Sequence, residues 1–225
     1  MKSKFFDKET HYHLGRPDHA PTVGPFLADN FDADKTCLEI GVGNGRGTKF
    51  LAAHFKKVIA IEPVADLSAM DIDVFNAKNV ELFSVPIEES GGLNLDFDYL
   101  ICFQATHWFY DFEQYQKFYG HAQKPVLDIS TQVKILDQPE FFRELVDKYK
   151  VEGAYRGFDY PRESIFDDSY DVVFSAEKVA HGICSTSWFD HSAFSEVLQA
   201  IQQRFGEQEI RARVKTEVNE VGPPE

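Results

Sequence analysis

Basic residues and cysteine are scarce in this chain of 225 residues. It carries 23 Lys and Arg against 37 Asp and Glu, a formal net charge of −14. No basic run offsets that balance. Phosphate backbones are bound through clustered Lys and Arg, so a nucleic-acid partner is not expected. Cys37, Cys102 and Cys184 are an odd number without metal-ligand spacing. Neither a disulfide framework nor a metal centre is expected. Cys37 and Cys102 sit in apolar runs, and all three read as reduced thiols of a cytoplasmic protein. No stretch of about 18 apolar residues occurs, so no membrane-spanning helix is expected. The opening MKSKFFDKETHYHLGRP lacks the apolar centre of a signal peptide. Two phosphate-binding signatures are missing as well. In G-x-G-x-x-G the third glycine would fall on Arg46 counting from Gly41, or on Thr48 counting from Gly43. The G-K-[ST] of a P-loop is absent, because Gly47 is followed by Thr48 and only then by Lys49.

The segment Thr36 to Thr48, TCLEIGVGNGRGT, organises the rest of the chain. An apolar strand opens into a loop with glycines at 41, 43, 45 and 47, and a helical pattern follows. Glycine lets a backbone approach a ligand closely and adopt positive φ. A helix after such a loop offers unpaired N–H groups to an anionic ligand group. A plain glycine-rich turn is the alternative, but it has no need of four glycines in seven residues.

Strands are expected at about 36–41, 57–62, 80–85, 97–103 and 126–129, a short one at 172–174, and an alternating one at 210–218. Helices are expected at about 46–55, weakly at 66–75, after Asp111, after the D-x-x-E of Asp137 and Glu140, and from Asp190 to Gly206. A further short helix over 20–31 would bury Val23, Phe26 and Leu27. Residues 151–170 read as loop. Near-continuous apolar runs such as KVIAIE at 57–62 indicate strands covered on both faces. Strands alternating with helices predict an α/β doubly wound sheet of seven strands, mostly parallel, with an antiparallel last strand. A single domain over 1–225 is expected, with residues 36–130 as its ligand-binding core. Residues 1–18 read either as a tail or as an arm, since Phe5, Phe6, Tyr12 and Leu14 are apolar for a solvated segment.

Four features occur in a telling order. They are E-x-G-x-G-x-G at Glu39 to Gly45, an acidic strand tip at Glu62 about 20 residues on, P-x-E at Pro86 to Glu88, and QATHWF at 104–109. Together they resemble the class I S-adenosylmethionine-dependent methyltransferases. HWF, with Y-x-x-x-R-P at Tyr12 to Pro17 and STSWF at 185–189, is similar to the small-molecule branch that includes trans-aconitate methyltransferase. Where relatives carry K-P-G-G before strand 5, this chain has Lys124, Pro125, Val126.

The resemblance implies S-adenosylmethionine as cofactor and S-adenosylhomocysteine as product. It puts Gly41, Gly43, Asn44 and Gly45 along the methionine moiety, with Glu39 positioning its ammonium. Glu62, followed by Pro63, would hold the ribose, and Ile87 and Glu88 would border the adenine. Phe103 and Gln104 would lie at the strand-4 tip, and Arg16 would meet the carboxylate from an arm that closes as a lid. His107 is either an acid or base beside the methyl or a structural residue of its turn. Tyr12, Trp108, Phe109 and Tyr160 would line the acceptor pocket, under a small cap built from the arm and the 150–170 segment. Arg143, Arg156 and Arg162 are candidates by location for an anionic acceptor. The function implied is methyl transfer to a small molecule at oxygen. A binding protein without turnover is the alternative, and an NAD-dependent oxidoreductase is disfavoured by the failed third glycine.

Overall fold

The computed structural model describes residues 9–63, 72–93, 95–106, 126–151, 161–186 and 189–222. Its sheet has seven strands: β1 Thr36–Ile40, β2 Lys57–Ile61, β3 Val80–Phe83, β4 Tyr99–Phe103, β5 Val126–Ile135, β6 Arg162–Phe174 and β7 Ile210–Val221. Their order is β3-β2-β1-β4-β5-β7-β6. β1 pairs in parallel with β2 and β4, β2 with β3, and β4 with β5. The C-terminal strands are antiparallel. Chain order reverses beside β1, whose neighbours are β2 and β4. The glycine loop leaves β1 at that switch point, where this architecture takes its ligands.

The chain divides into two compact units. One comprises His19–Thr131, Gly157–Asp168 and Thr216–Glu225. Within it, successive strand residues point to opposite faces. On one face Val23 and Leu27 of α2 (Val23–Asn30) and Leu51 of α3 (Thr48–His54) pack with Cys37, Val58, Tyr99 and Ile101. On the other, Leu38, Ile40, Ile61, Leu100 and Cys102 pack with Ile87, Val126 and Val221. Cover on both faces explains why β2 and β4 read as near-continuous apolar runs. A short helix α4 (Ile72–Phe75) precedes β3, and a 3-10 turn (Ile87–Gly92) follows it.

The other unit comprises Met1–Asp18, Gln132–Arg156 and Ser169–Lys215. It contains α1 (Glu9–Gly15), α5 (Pro139–Lys148), α6 (Ala176–Cys184) and α7 (Phe194–Phe205). Phe142, Leu145, Val179, Ala180, Val197, Ile201 and Phe205 form its core. α1 lies close against α6. A Cβ on Gly15 would fall 2.2 Å from the Gly182 amide nitrogen, so only glycine permits that approach. Nδ1 of His11 and Nδ1 of His181 are 2.7 Å apart, and both rings pack on Phe194. Arg16 Nε donates to Ser185 Oγ at 3.0 Å.

Several expectations need correction. Residues 162–170 are not loop or cap. They begin the thirteen-residue β6, of which 172–174 is only the end. β6 ends the sheet order, and its first four residues are all exposed, so it needs few apolar residues and its sequence resembles a loop. β5 runs to Ile135 rather than stopping at 129. Asp137 and Glu140 form no capping box. Asp137 accepts from the Arg211 backbone and guanidinium, Glu140 pairs with Arg143, and Gln138 occupies the cap position with φ 48°. Asp190 caps a 3-10 turn (His191–Ala193) that leads into α7. α6 was not foreseen, although Ser175 caps it by accepting from the Lys178 amide. The helix expected after Asp111 lies outside the described residues. All three cysteines are buried.

The His11–His181 contact gives a pH prediction. One of the two nitrogens must be unprotonated to accept. Burial lowers the His181 pKa from its ordinary 6.5; Glu177 partly opposes this and Lys178 adds to it. Stability tied to a depressed histidine is present above the unfolded value and is lost as pH falls through the folded one. The protection factors of α1 amides, exchange rates divided by the intrinsic rate at each pH, should therefore fall as pH drops from about 7.5 to about 5, across the histidine range. His181→Phe should abolish that step. Protection factors indifferent to pH in the unsubstituted protein would refute it.

Candidate functional site

The loop after β1 owes its shape to backbone conformation. Gly41, Gly43 and Gly45 have φ of 74°, 55° and 90°. Residues with a Cβ avoid this region, so the alternate spacing of the glycines follows from the turn itself. Two bonds tie the loop to the end of β2. Gly41 N donates to Ile61 O at 2.8 Å, and Gly43 N donates to Glu62 Oε2 at 2.9 Å. Gly45 N closes the turn on Val42 O. The glycines then differ in purpose. A Cβ at Gly41 would lie 2.6 Å from Ala105 Cβ, and one at Gly47 would lie 2.2 Å from the Phe103 ring and 2.8 Å from Glu39 Oε1. At Gly43 it would meet nothing within 4 Å among the described residues. Gly41 and Gly47 are thus packing glycines, while Gly43 faces the open side of a cradle.

Glu39 is fully buried on β1, and neither carboxylate oxygen has a hydrogen-bond partner among the described residues. Desolvation pushes its pKa up to about 8, against the pull of the nearby Thr48 hydroxyl and with a contribution from the Glu62 charge. A buried carboxyl without partners is costly. Behind a backbone cradle it suits a cationic ligand group, reached directly or through water. Glu62 is half-buried and held to the loop by Gly43, in position to receive hydroxyl groups. Pro63 beside it is exposed and Asn44 is half-buried. Ile87 is buried at the start of its 3-10 turn, its carbonyl accepting from Ser90 Oγ, with Glu88 next in the chain.

Gln104 follows β4 with φ 56°, a strained conformation for a residue with a side chain. Its amide donates to Ile129 O at 3.1 Å and its Nε2 to Thr131 O at 2.7 Å. The Phe103 ring packs beside Gly47, His19 and Phe50.

Glu39, Gly41, Gly43, Gly45, Glu62, Phe103 and Gln104 are therefore brought together by the ends of β1, β2 and β4. Tyr12 and Arg16 lie in the other unit, where the Arg16 guanidinium stacks on Tyr12 and bonds Ser185. His107, Trp108, Phe109 and Tyr160 lie outside the described residues. Of the candidate arginines, Arg162 pairs with the buried Asp128 at 3.2 Å and donates to Thr106 Oγ1, so it anchors the segment after β4. Burial raises the Asp128 pKa and Arg162 opposes this. Sequence reasoning missed Asp128, although an aspartate inside the apolar VLDIS was a signal. It also missed His19 and Thr131, which carry no motif.

Residues 38–124 match a family model described as a methyltransferase domain. Over that segment the chain is similar to methyltransferase domains. The chain is 29% identical over 118 residues to the uncharacterized methyltransferase C25B8.09 of Schizosaccharomyces pombe, a match spanning 48% of this chain and 43% of the relative. The methyltransferase-like protein C25B8.10 of the same yeast is 28% identical over the same length and shares. The matched stretch thus covers less than half of either curated relative. Among solved structures, a protein named as a type II methyltransferase from Anaeromyxobacter dehalogenans superposes with a TM-score of 0.63 at 18% identity, covering 93% of this chain and 99% of that one. One named as a methyltransferase from Bacillus halodurans gives 0.53 at 14% identity, covering 91% and 98%. At these identities the superpositions establish the fold alone.

Burial of Glu39 predicts a pH effect on stability. Its folded pKa, about 8, stands above the ordinary 4.5. The folded state therefore holds a proton that the unfolded state releases, and stability falls as pH rises between those values. Glu39→Gln keeps the neutral shape. Its melting temperature relative to the unsubstituted protein should rise steadily from about pH 5 to about pH 8. A difference that stays constant over that range would mean that Glu39 is not held protonated.

Proposed function

We propose that this protein transfers a methyl group from S-adenosylmethionine to a small-molecule acceptor at oxygen, in the cytoplasm. The observation that carries the reading is the Gly43 cradle between two acids, buried Glu39 behind it and Glu62 tied to its backbone. S-adenosylmethionine supplies, when bound, a methyl group already activated by a sulfonium leaving group. The protein's task is then to align acceptor and methyl. Gly41 and Gly43 would give backbone approach to the methionine portion, with Asn44 and Gly45 continuing the cradle. Glu39 would lose its proton and balance the ammonium. Glu62 would accept from the ribose hydroxyls, and Ile87 with Glu88 would border the adenine. Phe103 and Gln104 would form the floor at the end of β4.

The small-molecule acceptor is supported by the net charge of −14 and the lack of any basic run, which disfavour nucleic acid. Methylation at oxygen is supported by what the cradle lacks. Glu39 is buried behind the loop and Glu62 is committed to it, so neither described acid is poised as a base. An ionised oxygen nucleophile needs none. His107 remains the proposed acid or base should the acceptor carry a proton. Cofactor binding without turnover is the second reading. It would show as S-adenosylhomocysteine affinity with no product across a broad acceptor screen.

Isothermal titration with S-adenosylhomocysteine tests the cofactor site. Glu62→Ala should weaken binding by about 1.5–3 kcal/mol, the usual worth of a charge-assisted hydrogen bond. Gly43→Val should abolish binding, because a side chain would fill the cradle and cannot adopt φ 55° without strain. Normal affinity in both variants would move the site elsewhere, and a thermal shift with NAD but none with S-adenosylhomocysteine would favour an oxidoreductase.

A further inference from the structure

His19 precedes α2, outside every recognised motif, yet its side chain is buried at the end of β4. Its Nδ1 shares a hydrogen bond of 2.6 Å with Thr131 Oγ1. Its ring lies 4.8 Å from the Phe103 ring, centroid to centroid, and packs edge-on to Phe50. Thr131 is a hub. Its hydroxyl also meets Thr216 Oγ1 at 3.1 Å, and its carbonyl accepts from Gln104 Nε2 at 2.7 Å. The Ala20 amide, next along the chain from His19, donates to Thr216 Oγ1 at 2.9 Å. Three chain segments distant in sequence therefore converge on one threonine.

Two conformations that the glycine cradle needs depend on this hub. Gln104 stands at φ 56°, and such strain persists only where its surroundings over-determine it. The bonds from Gln104 to Ile129 O and Thr131 O do so. Phe103, held on one side by His19, presses its ring against the Cα of Gly47, where no Cβ could fit. Loosening His19 would release Phe103 directly and Gln104 through Thr131. Both lie at the rim of the loop that begins α3.

We infer that His19 is a positioning residue for the cofactor cradle: through Nδ1 it fixes Thr131, and with it Gln104, while its ring fixes Phe103 against Gly47. The inference rests on the cofactor reading above and adds to it a residue that does not touch the cofactor itself.

The identity of the bonding nitrogen makes the idea testable in the full chain. An asparagine amide reaches about as far as Nδ1, and a glutamine amide reaches the place of Nε2. S-adenosylhomocysteine affinity is measured by titration, beside melting temperature without ligand, for His19→Ala, His19→Asn, His19→Gln and Thr131→Val. His19→Ala and His19→Gln should bind about tenfold more weakly or worse, the scale of one lost buried hydrogen bond. His19→Asn should recover most of the affinity. Thr131→Val should show the same loss, and joining it to His19→Ala should add little, since both break one link. A merely structural histidine would lower the melting temperature of all variants in order of lost packing and leave the affinity of the folded protein untouched. If His19→Ala fails to fold, the Asn, Gln and Thr131→Val variants carry the comparison. Affinities of the Gln and Thr131→Val variants within about twofold of the unsubstituted protein overturn the role of His19. Absence of binding by the unsubstituted protein overturns the cofactor reading itself, and the role of His19 with it.

Discussion

The hydrogen bond from Gly43 N to Glu62 Oε2 joins the two features on which the site depends. One is a loop whose three alternate glycines stand in the left-handed region. The other is the acidic end of the neighbouring strand. The loop could not hold that shape with any Cβ at 41, 43 or 45. With the Gly41–Ile61 bond, the contact to Glu62 also sets the distance between the β1 and β2 ends. A carboxylate that accepts from a backbone amide is oriented before a ligand arrives, which reduces what binding must spend on ordering. The adjacent Glu39 is the counterpart. It is buried at the cost of its charge and left without a hydrogen bond among the described residues. One acid is satisfied by the loop and the other is not, and the pair defines the polarity of the cradle.

The sheet makes this arrangement rigid. β1 and β4 are covered on both faces, by α2 and α3 on one side and by Ile87, Val126 and Val221 on the other. The ends of β1, β2 and β4 are thus fixed relative to one another before any loop is considered. Ala105 against Gly41 and Phe103 against Gly47 carry that rigidity from β4 into the cradle. Arg162, held between Asp128 and Thr106, anchors the chain just beyond β4 from an edge strand.

Much of this was legible in the sequence where physics leaves a local trace. Positive φ leaves glycine, two-sided burial leaves apolar runs such as KVIAIE, and a strand tip facing a ligand leaves an acid at Glu62. Those traces led to the sheet, the loop and the residues proposed to hold the cofactor. Long-range partnership leaves no such trace. RESIFDDSYDVVF looked like loop because an edge strand buries little, and Asp137 looked like a cap because its real partner, Arg211, is distant in sequence. His19 and Thr131 were invisible for the same reason. A histidine between aspartate and alanine says nothing about a threonine 112 residues on.

Where β7 lies in the chain bears on how the protein is made. The residues of the cradle are all synthesised by Glu62, yet the unit they belong to needs Thr216–Glu225, and its two core clusters draw on Val218 and Val221. At about 5–20 residues per second, a ribosome takes roughly seven to thirty seconds to travel from Glu62 to β7. Throughout that interval β5 has no antiparallel neighbour, and Ala20 has no Thr216 to receive its amide proton. The nascent cradle is therefore an open half-sheet with apolar faces, a natural client for a chaperone. A truncation that removed only β7 would leave every recognised motif intact and still deprive them of their support.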